Sequence, residues 1–152
     1  MSMPMQKTLC MTAMAALVAA AGCADPVTKE EMATADYGPQ PTRWQEEIKS
    51  YLGLRLTDPK EAIVDFKAGP KILYQRGTVL RGEQYGWGVC VWVNDKDKSG
   101  AYQGVYPMSF LLRDEKIVAV NGGPDDGAII GPNYARKQCE QLGAPPAPGS
   151  PS

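Results

Sequence analysis

Tyr85-Gly-Trp-Gly-Val-Cys-Val-Trp-Val-Asn94 is the stretch whose reading decides the fold. Outside the N-terminus it is the most apolar run, and it alternates. Tyr85, Trp87, Val89, Val91 and Val93 share one side; Gly86, Gly88, Cys90, Trp92 and Asn94 share the other. A period of two in β-branched and aromatic residues predicts a strand buried on at least one face. This strand is expected at the centre of one small domain, with Cys90 in its middle.

Working outward, the neighbouring segments supply partners. Toward the N-terminus, Ala62, Val64 and Phe66 alternate with Ile63, Asp65 and Lys67, which predicts a first strand that Gly69-Pro70 breaks. Lys71 to Arg81 predicts a second strand, with a bulge marked by Gly77. Before these, Trp44, Ile48, Tyr51 and Leu52 fall at i, i+4, i+7 and i+8, the apolar stripe of a helix. Thr42 and Gln45 have capping-box spacing, and Gly53 is the expected stop. Toward the C-terminus, Asp95 to Gly100 reads as a hairpin turn with Gly100 at positive φ. A long strand is expected over Ala101 to Arg113, with a bulge or edge at Pro107. Asp114-Glu115 reads as a tight turn before a short strand at Ile117 to Val120. A second helix starts at Pro132, with Ala135, Cys139 and Leu142 inward. The predicted class is α+β: an antiparallel sheet of about four to five strands packed against an N-terminal and a C-terminal helix, with one disulfide. The domain is bounded at 37–143, between a flexible tether over 23–36 and a disordered Pro-rich tail over 144–152.

Composition narrows the function classes. The chain has 152 residues, 16 Lys and Arg against 17 Asp and Glu, and no His. Without His there are no Ser-His or Cys-His nucleophile pairs, no His general base, and none of the commonest zinc ligand. The cations are scattered among the acids, so the clustered footprint of a nucleic-acid binder is missing. No cofactor motif is legible.

Residues 1–22 read as an export signal: Lys7, then an uncharged run ending in small residues, too short for a bilayer span of roughly 20 apolar residues. The run meets a cysteine at Ala20-Ala21-Gly22-Cys23. This resembles the lipobox of bacterial lipoproteins, with Ala20 where Leu is usual. The resemblance implies cleavage before Cys23, acylation of Cys23 and anchorage in the membrane by lipid. The other reading is an ordinary signal peptide and an unmodified Cys23. Ala24 stands where that family uses Asp for inner-membrane retention, so the resemblance implies an outer-membrane address, with the domain facing the periplasm or the cell surface. Cys10 then leaves with the leader, and Cys90 and Cys139 remain in an oxidising compartment where a disulfide persists. The alternative for this pair is two buried thiols.

Tyr85-Gly-Trp-Gly-Val-Cys90, Val93-Asn94, Gly100-Ala-Tyr-Gln-Gly104, the strand around Phe110 and Leu56-Thr-Asp-Pro-Lys60 resemble a group of small bacterial envelope lipoproteins. The similarity runs from about Tyr37 to Leu142. It implies a fold and an address, and no activity.

Three functions follow as expectations. The first is a non-enzymatic, lipid-anchored protein that binds an envelope protein or the cell wall, with Tyr85, Trp87, Tyr102 and Tyr106 as a candidate binding face. The second is a small envelope hydrolase with two carboxylates from Asp65, Glu83, Asp95 and Asp97. The third is a carrier of calcium or another small ligand. Asp95, Asp97 and Ser99 match the first half of an EF-hand loop, but position twelve is Tyr106 rather than Glu. Asp125 and Asp126 read as part of a solvated loop.

Overall fold

The opening stretch becomes strand β2 (Gln84–Asn94) in the computed structural model, which describes residues 27–75, 77, 82–123 and 133–148. Among these residues β2 lies inside an antiparallel meander with β1 (Ile63–Gln75), β3 (Tyr106–Arg113) and β4 (Lys116–Gly122), in the order β1-β2-β3-β4. Helices α1 (Lys29–Thr34), α2 (Trp44–Gly53) and α3 (Asn133–Gln141) complete the α+β fold. The predicted leader, Cys23, Asp125, Asp126 and Pro132 lie outside the described residues.

The alternation of β2 divides the core in two, because successive side chains leave opposite faces of a strand. Val89, Val91 and Val93 meet Met108, Phe110 and Leu112 of β3 on one face, where Ile48 and Leu52 of α2 cover them. Cys90 points to the other face and packs with Leu73, Leu111 and Ala119 beneath Cys139 and Leu142. Each face thus has its own helix. Gly86 and Gly88 make the second layer possible: a Cβ on Gly88 would stand 2.7 Å from Leu73 Cδ2 and 2.9 Å from Leu142 Cδ2. The space a side chain would take is filled by leucines from β1 and from the end of α3.

Cys90 and Cys139 form the expected disulfide, with Cα atoms 5.1 Å apart and a separation of 49 positions in sequence. Its weight is large for this helix. α3 and Leu142, the residue after it, bring only Ala135, Cys139 and Leu142 as buried apolar residues. Burying one leucine contributes about 1.5–3 kcal/mol. Closing a loop of this length contributes roughly 4 kcal/mol in the chain-entropy model. The bond therefore matches or exceeds the apolar packing of the element it holds. Lys71 Nζ donates to Leu142 O at 2.8 Å, and Gly143 at φ 86° ends the helix.

Several boundaries differ from the sequence reading. Gly69-Pro70 does not end the first strand; β1 runs through it, with register slips between Phe66 and Ala68 and between Ala68 and Lys71. An edge strand tolerates a bulge and a proline that an inner strand would not. Gly69 has φ 101°, and a Cβ there would lie 2.3 Å from Gly88 O, so the close approach to β2 requires glycine. β3 begins at Tyr106, not Ala101; the residues before it form a loop with one bridge, Lys96 to Tyr102. The apolar packing also continues beyond Gly143, for Ala144 joins the second cluster and Ala147 is buried.

Thr42 does not cap α2 with its side chain. Arg43 flanks the first turn without a side-chain cap of its own. Glu115, from the two-residue β3–β4 turn, accepts from Thr42 N–H at 2.7 Å, Thr42 Oγ1–H at 3.0 Å and Arg43 N–H at 3.0 Å. Asp114 and Glu115 adopt φ of 50° and 62°, the positive values that a two-residue hairpin demands of both central positions. These N–H groups hold the Glu115 carboxyl below its ordinary pKa. A lowered folded-state pKa contributes stability above the unfolded value and loses it as the pH falls through the folded value.

Replacing Cys90 or Cys139 with Ser should lower stability by about 2–5 kcal/mol without reductant, read from denaturant midpoints, and should change the reduced protein far less. Glu115→Gln should flatten the acid limb of stability below about pH 4.3, where the unfolded carboxylate takes up its proton; thermal melts across pH 2 to 7 check this, and a limb identical to wild type would refute the cap.

Candidate functional site

The four aromatic residues of the expected binding face separate to the two ends of β2. Tyr85 and Trp87 sit near its start. Tyr106 pairs with Val93 near its end and packs against the first core cluster. Tyr102 lies in the preceding loop, with its hydroxyl donating to Glu61 O at 2.9 Å and Lys96 Nζ 5.2 Å from its ring centroid. At a rise of about 3.3 Å per residue the pairs stand on the order of 20 Å apart. They do not form one patch.

The start of β2 is occupied by the chain's own N-terminal arm. Trp87 Nε1 donates to Gly38 O at 3.0 Å, and the Tyr37 and Tyr85 rings meet edge to face at 5.7 Å. Arg113 Nη2 bonds Asp36 Oδ2 at 2.8 Å, and its Nη1 reaches Tyr85 O at 3.3 Å. The Gly38 N–H and the Arg113 guanidinium hold the Asp36 carboxyl below its ordinary range. Burial, with Glu83 beside it, pushes the Tyr85 phenol up. Upstream, α1 has a complete capping box between Thr28 and Glu31 and buries no residue. The arm therefore docks firmly from Asp36 onward.

At the opposite end of the sheet lies a cleft of about 490 Å³. The last turn of α2 and the residues after it form one wall, with Tyr51, Arg55 and Leu56. The ends of β2, β3 and β4 form the other, with Asp95, Tyr106 and Met108. Arg55 Nη1 donates to the Tyr51 hydroxyl at 2.9 Å, and its guanidinium lies 4.5 Å from the Tyr51 ring centroid. The i, i+4 spacing of Tyr51 and Arg55 was visible in the sequence, but the cleft was not.

The candidate metal residues have structural tasks. Asp95 is 3% exposed. Its carboxylate accepts from Thr57 N–H at 2.7 Å, Asp58 N–H at 3.2 Å and Lys96 N–H at 2.8 Å, and so fastens the segment after α2 to the end of β2. Asp97 accepts from the Ser99 hydroxyl and from the Ser99 and Ala101 N–H groups. The Ser99 hydroxyl and the Ala101 N–H hold its carboxyl low. Gly100 takes φ 86°, as expected of the turn. Among the described residues no three His, Cys, Asp or Glu side chains gather as metal ligands.

The other carboxylates proposed for hydrolysis are far apart. Asp65 pairs with Lys67 and stands opposite Trp92, whereas Glu83 accepts from the Tyr74 hydroxyl at 3.1 Å beyond the start of β2. That separation is about 30 Å along the strand, well beyond the roughly 5–9.5 Å of a glycosidase pair.

One buried polar group carried no sequence signal. Gln138, on the inward face of α3, accepts from Ser109 Oγ and from Asn121 Nδ2 at 2.9 Å, and Asn121 also reaches Gln75 Oε1 at 3.3 Å. Gln75, Ser109 and Gln138 are each almost fully buried. This network sets where α3 sits over the sheet.

No family model, curated protein or solved structure matches the chain.

Asp95→Ala should cost about 1–3 kcal/mol by removing the acceptor of three partly buried N–H donors, read from chemical denaturation. Calcium at millimolar concentration should leave the wild-type melting temperature unchanged.

Proposed function

We propose that this chain is a lipid-anchored cell-envelope protein with a non-enzymatic binding role. The observation that carries this reading is the pairing of two facts. Ala20-Ala21-Gly22-Cys23 closes an export-like leader. The domain behind it is held by a disulfide between two buried cysteines, a bond that persists in oxidising compartments. Two or more acyl chains on Cys23 would hold the protein stably, each buried CH₂ contributing about 0.8 kcal/mol.

The docked arm gives this anchor a direction. The chain reaches the domain at the end of the sheet where Asp36, Tyr37 and Gly38 are bound. The cleft lies at the other end. A domain tethered through Cys23 would hold its arm end toward the membrane and offer the cleft to an envelope protein or to the cell wall. Arg55 and the aromatic rings beside it suit such contact, for Arg and Tyr are enriched where interfaces bind strongly.

Intact-mass measurement of the protein purified from membranes should show the leader removed and acyl chains on Cys23. Cys23→Ala should release the domain from the membrane fraction. A mature chain with a bare Cys23, or membrane association unchanged in the variant, would refute the anchor.

A further inference from the structure

We propose that the cleft between α2 and the ends of β2, β3 and β4 is a ligand site for a small monocarboxylate with an apolar body. Its volume of about 490 Å³ falls within the roughly 300–1,000 Å³ of small-molecule sites. Its floor is apolar where Leu52 and Met108, both members of the first core cluster, reach it. Its charge is what selects the ligand. Arg55 is exposed at the rim and has no carboxylate partner among the described residues. Tyr51 holds the guanidinium by a hydrogen bond and by stacking, so the fork is already placed and loses little freedom when it closes on an anion. Asp95 also belongs to the wall, but it is 97% out of solvent and its oxygens are engaged by the N–H groups of Thr57, Asp58 and Lys96. The Asp95 oxygens are thus engaged by backbone donors, while Arg55 remains exposed.

One unpaired planar cation matches one carboxylate, which it can bind with two parallel N–H bonds. A phosphate dianion calls for more cations, and Lys96 beside the cleft is already engaged with Glu61. Gly123 also lines the cleft, and among the described residues no atom stands within 4 Å of a Cβ built there. A short hydrocarbon chain would lie against Leu56, above the edges of the buried Leu52 and Met108, with its carboxylate on Arg55. This goes beyond the binding role proposed above by giving the cleft a small-molecule occupant, and it does not require the anchor.

The test uses hexanoate, which carries both parts at small size, and ligand-observed saturation-transfer NMR on the full purified chain. Hexanoate should bind with a Kd of about 1 mM, a plausible affinity for so small a ligand. Hexan-1-ol, which lacks the charge, should bind about tenfold or more weakly. Arg55→Gln should lose about tenfold in hexanoate affinity, the size of one charge-assisted pair. Arg43→Gln, at an exposed arginine paired with Glu46 away from the cleft, should bind as wild type does. Circular dichroism would confirm that both variants fold. Equal binding of hexan-1-ol, unchanged binding by Arg55→Gln, equal loss in Arg43→Gln, displacement of hexanoate by inorganic phosphate at the same concentration, or no transfer signal would each overturn the proposal. The mass of the same sample reports the state of Cys23 separately, so a bare thiol with hexanoate bound would remove the anchor and leave the site standing.

Discussion

A strand buried on both faces needs a cover on each, and β2 obtains the two covers by different means. On the valine side α2 supplies Ile48 and Leu52, and Trp44 and Tyr51 extend the contact by packing edge to face on Phe66 and Phe110. On the cysteine side α3 has little apolar surface and is held by the bond from Cys139 to Cys90. The buried polar network of Gln75, Ser109, Asn121 and Gln138 adds position to that bond. A disulfide limits how far α3 can stray, whereas the hydrogen bonds determine where along the sheet it rests. Gly86 and Gly88 serve the same end by letting the leucine layer approach the backbone of β2.

Around this frame, charged side chains tie distant segments together at their backbone N–H and C=O groups. Glu115 closes the first turn of α2 from a hairpin more than seventy positions away. Asp95 fastens the segment that follows α2, and Lys71 takes a carbonyl at the end of α3. Arg113 does the same for the N-terminal arm by donating to Asp36 O. Each satisfies donors or acceptors that helix ends and loops would otherwise leave open. Acidic and basic residues that look in sequence like candidate catalytic or metal-binding groups are thus largely consumed in holding the chain together. Arg55 differs, since its partner is an aromatic ring and its charge stays outward.

These ties also give the domain two unlike ends. One receives the arm and is filled by the chain's own Tyr37, Tyr85 and Trp87. The other is open as the cleft. Four aromatic residues that seemed to belong to one surface in fact serve both ends, two in docking the arm and two beside the cleft and the hairpin. The chain has no His, and the open end presents Tyr51, Arg55, Asp95 and backbone groups.

Local pattern determined a good deal. The period-two run at Tyr85 to Asn94 and the helical stripe from Trp44 to Leu52 pointed to an antiparallel sheet packed against helices before and after it in the chain, and the cysteine count left the Cys90–Cys139 disulfide as one of two readings. Periodicity and cysteine count are readable because they depend on neighbours in sequence. Tertiary structure alone decided that α2 and α3 lie on opposite faces, that β1 passes through Gly69-Pro70, that Glu115 rather than Thr42 closes α2, and that Asp95 is buried with its carboxylate on three backbone N–H groups. It also gathered Tyr51, Arg55, Met108 and Tyr106 around one opening. In each case the deciding contact joins residues tens of positions apart, and a one-dimensional pattern carries no record of which distant backbone a side chain will meet.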